Sequence, residues 1–169
     1  TPALCPKKTL KVLDAVGLNE AGYLVQKRLY YRDNSNVNLY NLIQRSIEEE
    51  KYEDQIEFIE LMLNSDDYSK FSEEVDKSTK KTLGLRYSVY ADSYDTYLRQ
   101  HLVIALYRSG SELEAKMMAI DSVYGGFDEL YVYLNLIVND DNLTDLQKEI
   151  EITSLYKGYG VVSSIDNEI

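Results

Sequence analysis

One histidine and one cysteine carry all the imidazole and thiol chemistry open to this chain. His101 recurs with apolar and aromatic neighbours at helical spacing, which predicts a satisfied, inward-facing imidazole, not a catalytic one. Cys5 stands beside Pro6 with no histidine near it, so an unreactive thiol is expected and no internal disulfide can form. A structural or catalytic metal needs several soft or imidazole ligands, and one His with one distant Cys cannot assemble them. Carboxylates are abundant, but DNSN (33–36) lacks the rest of a calcium-binding loop and DDYSKFSEE (66–74) lacks its glycine. No glycine-rich phosphate loop, dinucleotide fingerprint or nucleophile elbow occurs. The expectation is a noncatalytic protein with no catalytic residues, no metal and no cofactor.

Tyrosine is the compositional oddity: 16 Tyr against 3 Phe and no Trp. Its ring suits burial while its hydroxyl asks for a partner or water, so it belongs on half-buried positions such as groove walls. Tyr87, Tyr90, Tyr94 and Tyr97 recur at three and four residues, a row of about 15 Å along one helix. Two readings stand. The row is a core stripe whose hydroxyls reach the edge, or it is a binding face that Asp92 and Asp95 flank and that takes a basic or amphipathic peptide.

The formal net charge is −11 over 169 residues. It is unevenly spread: residues 1–32 hold 6 basic and 2 acidic side chains, residues 33–169 hold 12 and 27. An acidic body repels phosphate backbones, so no nucleic acid is expected on it. The basic end either meets an acidic partner or lies on the chain's own acidic surface; the second is expected. No stretch approaches the ~20 apolar residues of a membrane span, and LYVYLNLIV (130–138), the most apolar run, is interrupted by Asn135. The absence of disulfides and spans suits a cytoplasmic protein, and the initial Thr suits a processed or excised chain.

These residues need helices to position them, and helical periodicity runs through most of the chain. A first helix is expected over Lys7–Val16, with Leu10, Leu13 and Val16 inward and Gly17 as its stop. A second follows to Tyr31, capped by Asn19, with Leu24 and Leu29 in the core, before the turn RDNSN (32–36). LYNLIQRSIEEEKYEDQIEFIELML (39–63) carries two stripes, Leu39–Leu42–Ile43–Ile47 and Tyr52–Ile56–Ile59–Leu63. Three glutamates disfavour the end of one helix and suit the start of another, so a turn is placed near Glu50 in preference to one unbroken helix. Tyr68, Phe71 and Val75 share the next face, and a long pattern from Thr79 to Arg108 is breakable at Ala91–Ser93. Gly110 ends that pattern. Ser111 with Glu114 fits a capping box, followed by a stripe of Leu113, Met117, Ile120 and Tyr124. FDELYVYLNLIV (127–138) fits helix or strand; helix is adopted because no second strong strand exists to pair with it. Thr144 and Gln147 form a second candidate box, ahead of Leu146, Ile150 and Leu155.

LYNL (39–42), KYEDQIEF (51–58) and ALYRSGSELEAK (105–116) resemble parts of the tetratricopeptide repeat, with Tyr52 at its aromatic turn position, Gly110 at its turn and Ala115 at its small position. Ile43 and Gln55 depart from the family's small residues. The resemblance implies stacked antiparallel helix pairs and a concave groove for a peptide, not catalysis. The expected fold is all-α, either a short α-solenoid or an irregular helical bundle. Residues 1–158 are expected to form one helical domain and 159–169 a frayed tail. The expected function is a protein- or peptide-binding module; the rivals are the ligand-sensing part of a regulator and an acidic inhibitor of a basic target.

Overall fold

The computed structural model describes residues 6–83, 91, 93–122 and 128–165. Among them are nine helices and no strand. In chain order they are α1 (Pro6–Ala15), α2 (Asn19–Arg32), α3 (Asn36–Glu48), α4 (Tyr52–Leu63), α5 (Tyr68–Leu83), α6 (Tyr94–Arg108), α7 (Glu112–Asp121), α8 (Asp128–Val138) and α9 (Asp145–Ile165). The chain is therefore all-α. It divides into two compact units, Thr1–Ser78 and Thr79–Ile169.

In the first unit each helix from α2 to α4 packs on its predecessor. Tyr23, Leu39, Leu42, Ile43, Phe58, Ile59 and Met62 form the buried core. The expected turn falls at Glu50, whose φ is +52°. There the Glu50 amide donates to the Ile47 carbonyl (3.2 Å) and the Lys51 amide to that of Ser46 (2.9 Å). This pair of bonds is the Schellman closure, which satisfies the carbonyls a helix end leaves open. Buried Gln55 donates a second bond to the Ser46 carbonyl (2.9 Å), so this departure from a small residue seals the corner.

The same corner recurs at Gly17, where amides 17 and 18 bond carbonyls 14 and 13 (3.2 and 2.9 Å), and at Gly110, where amides 110 and 111 bond carbonyls 107 and 106 (3.2 and 2.8 Å). All three have a positive φ at the first corner residue. This explains two corrections. Leu18, not Asn19, holds the cap position of α2, and Ser111 makes no side-chain cap bond in α7. Thr144 and Gln147 do form their box: the Gln147 amide donates to Thr144 Oγ1 (3.3 Å) and the Thr144 amide to Gln147 Oε1 (2.8 Å).

In the second unit α6 packs on α7 and α8, and α9 joins α7 and α8. The expected break before α6 is present: Ser93 Oγ accepts the Thr96 amide (3.1 Å), and Tyr94 opens the helix. Residues 128–138 are helical, as adopted. Helix α9 runs beyond Gly158 to Ile165.

Several expected core positions face outward. Val16 and Leu24 are exposed, while α2 buries Gly22, Tyr23 and Gln26. On α4 the buried face is Gln55, Phe58, Ile59 and Met62, leaving Tyr52, Ile56 and Leu63 half-buried. The largest departures are Leu113, Met117, Leu146 and Ile150, all exposed.

Candidate functional site

Helix α6 is the rod on which the tyrosine row was expected to stand. Tyr94 is wholly buried in the core of the second unit. Its ring stacks on that of half-buried Tyr97 (6.3 Å, 23°), which meets the His101 ring edge-on at 4.5 Å. Burial holds the imidazole neutral, pushing its pKa down to about 4. Tyr87, Tyr90 and Asp92 lie outside the described residues. Asp95, in the first turn of α6, pairs with Arg99 one turn on (2.8 Å). It lines a cleft of about 360 Å³ with Thr96, Arg99, Met118, Asp121, Ser122 and Glu129, three carboxylates around one guanidinium. Of the residues singled out, the structure brings together Tyr94, Tyr97 and Asp95, with Tyr94 buried and Tyr97 half-buried.

In the second unit α7 and α9 carry outward apolar side chains, as Val12 and Val16 do at the end of α1 in the first. Helix α7 buries Ala115 and Ala119 and leaves Leu113 71% and Met117 51% exposed. Helix α9 leaves Leu146 65% and Ile150 57% exposed. One side chain fastens the two helices: Lys116 Nζ bonds Glu151 Oε2 (2.9 Å) and Ser154 Oγ (2.6 Å). Sequence reasoning missed this face because it gave the inward stripe of α7 to the larger residues. The pair Ala115 and Ala119, at the same spacing, was the signal for the other face.

A second opening lies in the first unit, a cleft of about 590 Å³ whose walls are α1 and α3 and whose floor is α2. Lys7, Leu10, Lys11 and Asp14 form one wall, and Asn38, Asn41, Arg45 and Glu48 the other. One end is strapped by a bidentate pair, Arg45 Nη1 to Asp14 Oδ1 (2.9 Å) and Nη2 to Oδ2 (2.8 Å). The guanidinium bond holds the Asp14 carboxyl below its ordinary range. Gly22 admits the strap, since a Cβ there would lie 2.8 Å from Arg45 Nη1. Three ion pairs join residues 1–32 to the rest of the unit: Lys27 pairs with Asp54 (2.8 Å), whereas Arg45 and Lys51 take up the two carboxylates of the basic end, Asp14 (2.8 Å) and Glu20 (2.9 Å). The expected self-neutralisation is thus limited to Lys27, and Lys7 and Lys11 make no ion pair among the described residues.

Asp54 also accepts from the Tyr23 hydroxyl, and Lys27 lies over the Tyr23 and Phe58 rings at 5.8 and 5.5 Å. Burial, with the nearby Glu57 charge, pushes the Asp54 carboxyl up despite the ammonium beside it. The cluster lies outside the clefts described above and cross-links α2 to α4. Among the described residues no group of three His, Cys, Asp or Glu is arranged to hold a metal ion, and no helix is long and apolar enough to cross a membrane. No protein-family model matches this chain, and neither the curated proteins nor the solved structures searched contain a match.

Proposed function

We propose that this is a noncatalytic protein- or peptide-binding module, an adaptor or regulator whose partner buries apolar side chains that the fold leaves outside. The observation that carries the reading is the inverted packing of α7. A helix that packs through alanine and turns a leucine and a methionine outward presents its large contacts to something else. The recurring corners, at residues 17 and 50 of the first unit and 110 of the second, support tetratricopeptide-type helix hairpins within each unit as the scaffold. The acidic surface favours a basic partner and speeds its approach. The lone cysteine suits action in the cytoplasm.

The test is cross-linking capture from the source cells at low and high salt, followed by titration of the recovered protein. A saturable partner retained at high salt supports the adaptor. The cleft of Asp95, Asp121 and Glu129 favours a second reading, an acidic inhibitor of a basic target, whose complex would dissociate at modest salt. Failure to recover any saturable partner overturns both.

A further inference from the structure

We infer that the seam between α7 and α9 is the docking surface of the second unit, and that its occupant is a cationic amphipathic helix of another protein. The inference rests on the binding-module reading and adds the face and the partner's chemistry. Its geometry begins at Lys116, which fastens α7 to Glu151 and Ser154 of α9. At 100° per residue, Leu113 and Met117 follow Lys116 round α7 by about 60° and about 100°. Ala115 and Ala119 are on the opposite flank of Lys116, in the core.

On α9 the buried side is marked by Leu155. Stepping the other way from Ser154, Ile150 comes at about 40° and Leu146 at about 80°. Helices α7 and α9 each pair with α8 across a short connection, shown by the Leu130 amide on Ser122 Oγ (3.2 Å) and by Lys148 Nζ on the Val138 carbonyl (2.8 Å). They therefore run in the same direction. With that direction fixed, both apolar pairs fall on one outward side of the seam.

Charge selects the occupant. Glu114 and Asp121, beyond Met117 round α7, and Glu149, beyond Leu146 round α9, are exposed and make no ion pair among the described residues, whereas Lys116 is engaged within the seam. Four apolar side chains flanked by three exposed carboxylates complement a helix with an apolar stripe and lysine or arginine on its flanks. Such a helix lays anchors at i, i+3, i+4 and i+7 into a groove. An acidic or neutral helix would meet carboxylates without counter-charge, and a nucleic acid would meet repulsion.

The probe is a fluorescein-labelled 18-residue peptide of Lys and Leu in amphipathic helical order, beside a scrambled peptide of the same composition. The expected result is saturable binding of the ordered peptide at least tenfold tighter than of the scrambled one. The double variant L113D/M117D, or L113Q/M117Q in its place if the first loses helicity, weakens binding at least tenfold. V12D/V16D, on the exposed face of α1, leaves it unchanged. Equal binding of the two peptides overturns the proposal, as does binding that survives both α7 variants. A captured protein partner that ignores the α7 variants removes this face and leaves the binding-module reading standing. Absence of any saturable partner removes that reading as well.

Discussion

Lowering the pH from 7 to 5 should weaken the second unit by about 2 kcal/mol through His101 alone. The imidazole is packed into α6 beside Tyr97 and makes no ion pair among the described residues. Burial depresses its folded pKa to about 4. In the unfolded chain it titrates near its ordinary value of about 6.5. Above that value both states are neutral and His101 contributes no pH dependence. As the pH falls below it, the unfolded chain takes up a proton that the folded chain refuses. Stability then declines by about 1.4 kcal/mol per pH unit, reaching a total loss of about 3 kcal/mol near pH 4 and levelling off below it.

The measurement is urea unfolding from pH 7.5 to 4 on the chain and on His101→Gln. Other groups titrate alike in both, so the difference between the two curves isolates the imidazole. Because the chain has one histidine, its ring carbon-bound protons give an unambiguous NMR titration. A midpoint between 6 and 7, or a stability difference that does not vary with pH, would refute the burial argument.

Three further outcomes follow from the Glu50 corner, the strap and the capping box of α9. Glu50→Gly should stabilise the first unit by about 0.5–1 kcal/mol, since glycine removes the left-handed strain of a side chain at φ +52° and regains only part of it as unfolded-chain entropy; thermal unfolding reads it as a small rise in midpoint, and a fall would contradict the strain. Gly22→Ala should change global stability by less than about 1 kcal/mol, because alanine's helix propensity offsets a surface pair. Its Cβ must nonetheless displace the Arg45 guanidinium, so the Asp14 carboxyl pKa, followed by NMR, should return upward toward its ordinary value. Thr144→Ala should cost about 1 kcal/mol and expose the first turn of α9 to hydrogen exchange while leaving α6 protected.

The hairpin at Glu50 was legible because charge and helix dipole conflict over IEEE, a local argument that packing does not reverse. The box at Thr144 was legible for the same reason, since both its partners lie within one turn. The caps assigned to Asn19 and Ser111 failed on a competing local rule. A left-handed residue at Gly17 or Gly110 closes the preceding helix with two backbone bonds and carries the chain directly into the next. The residue after the glycine, Leu18 or Ser111, then holds the cap position without a side-chain bond. The face of α7 was not legible from hydrophobicity. Leu113–Met117 and Ala115–Ala119 have the same four-residue period, so period names two faces and the pairing of helices chooses between them.

That choice bears on function through its energy. Leaving Leu113 and Met117 mostly in water forgoes burial on the order of 1–2 kcal/mol each, comparable with a large share of a domain's net stability. The alanines recover part of this by letting α7 lie close to its neighbours, where dispersion contacts between the helices are dense. They do not require leucine and methionine on the other side; glutamine or lysine would keep α7 helical at similar propensity and improve its solvation. The fold of the second unit thus does not require apolar character at these two positions, whereas the proposed partner helix does. The same reasoning applies to Leu146 and Ile150, on the first turns of a helix already capped by Thr144 and fastened by Lys116. Four large apolar side chains that the packing does not use, gathered along one seam beside exposed carboxylates, are the observation on which the proposed binding face rests.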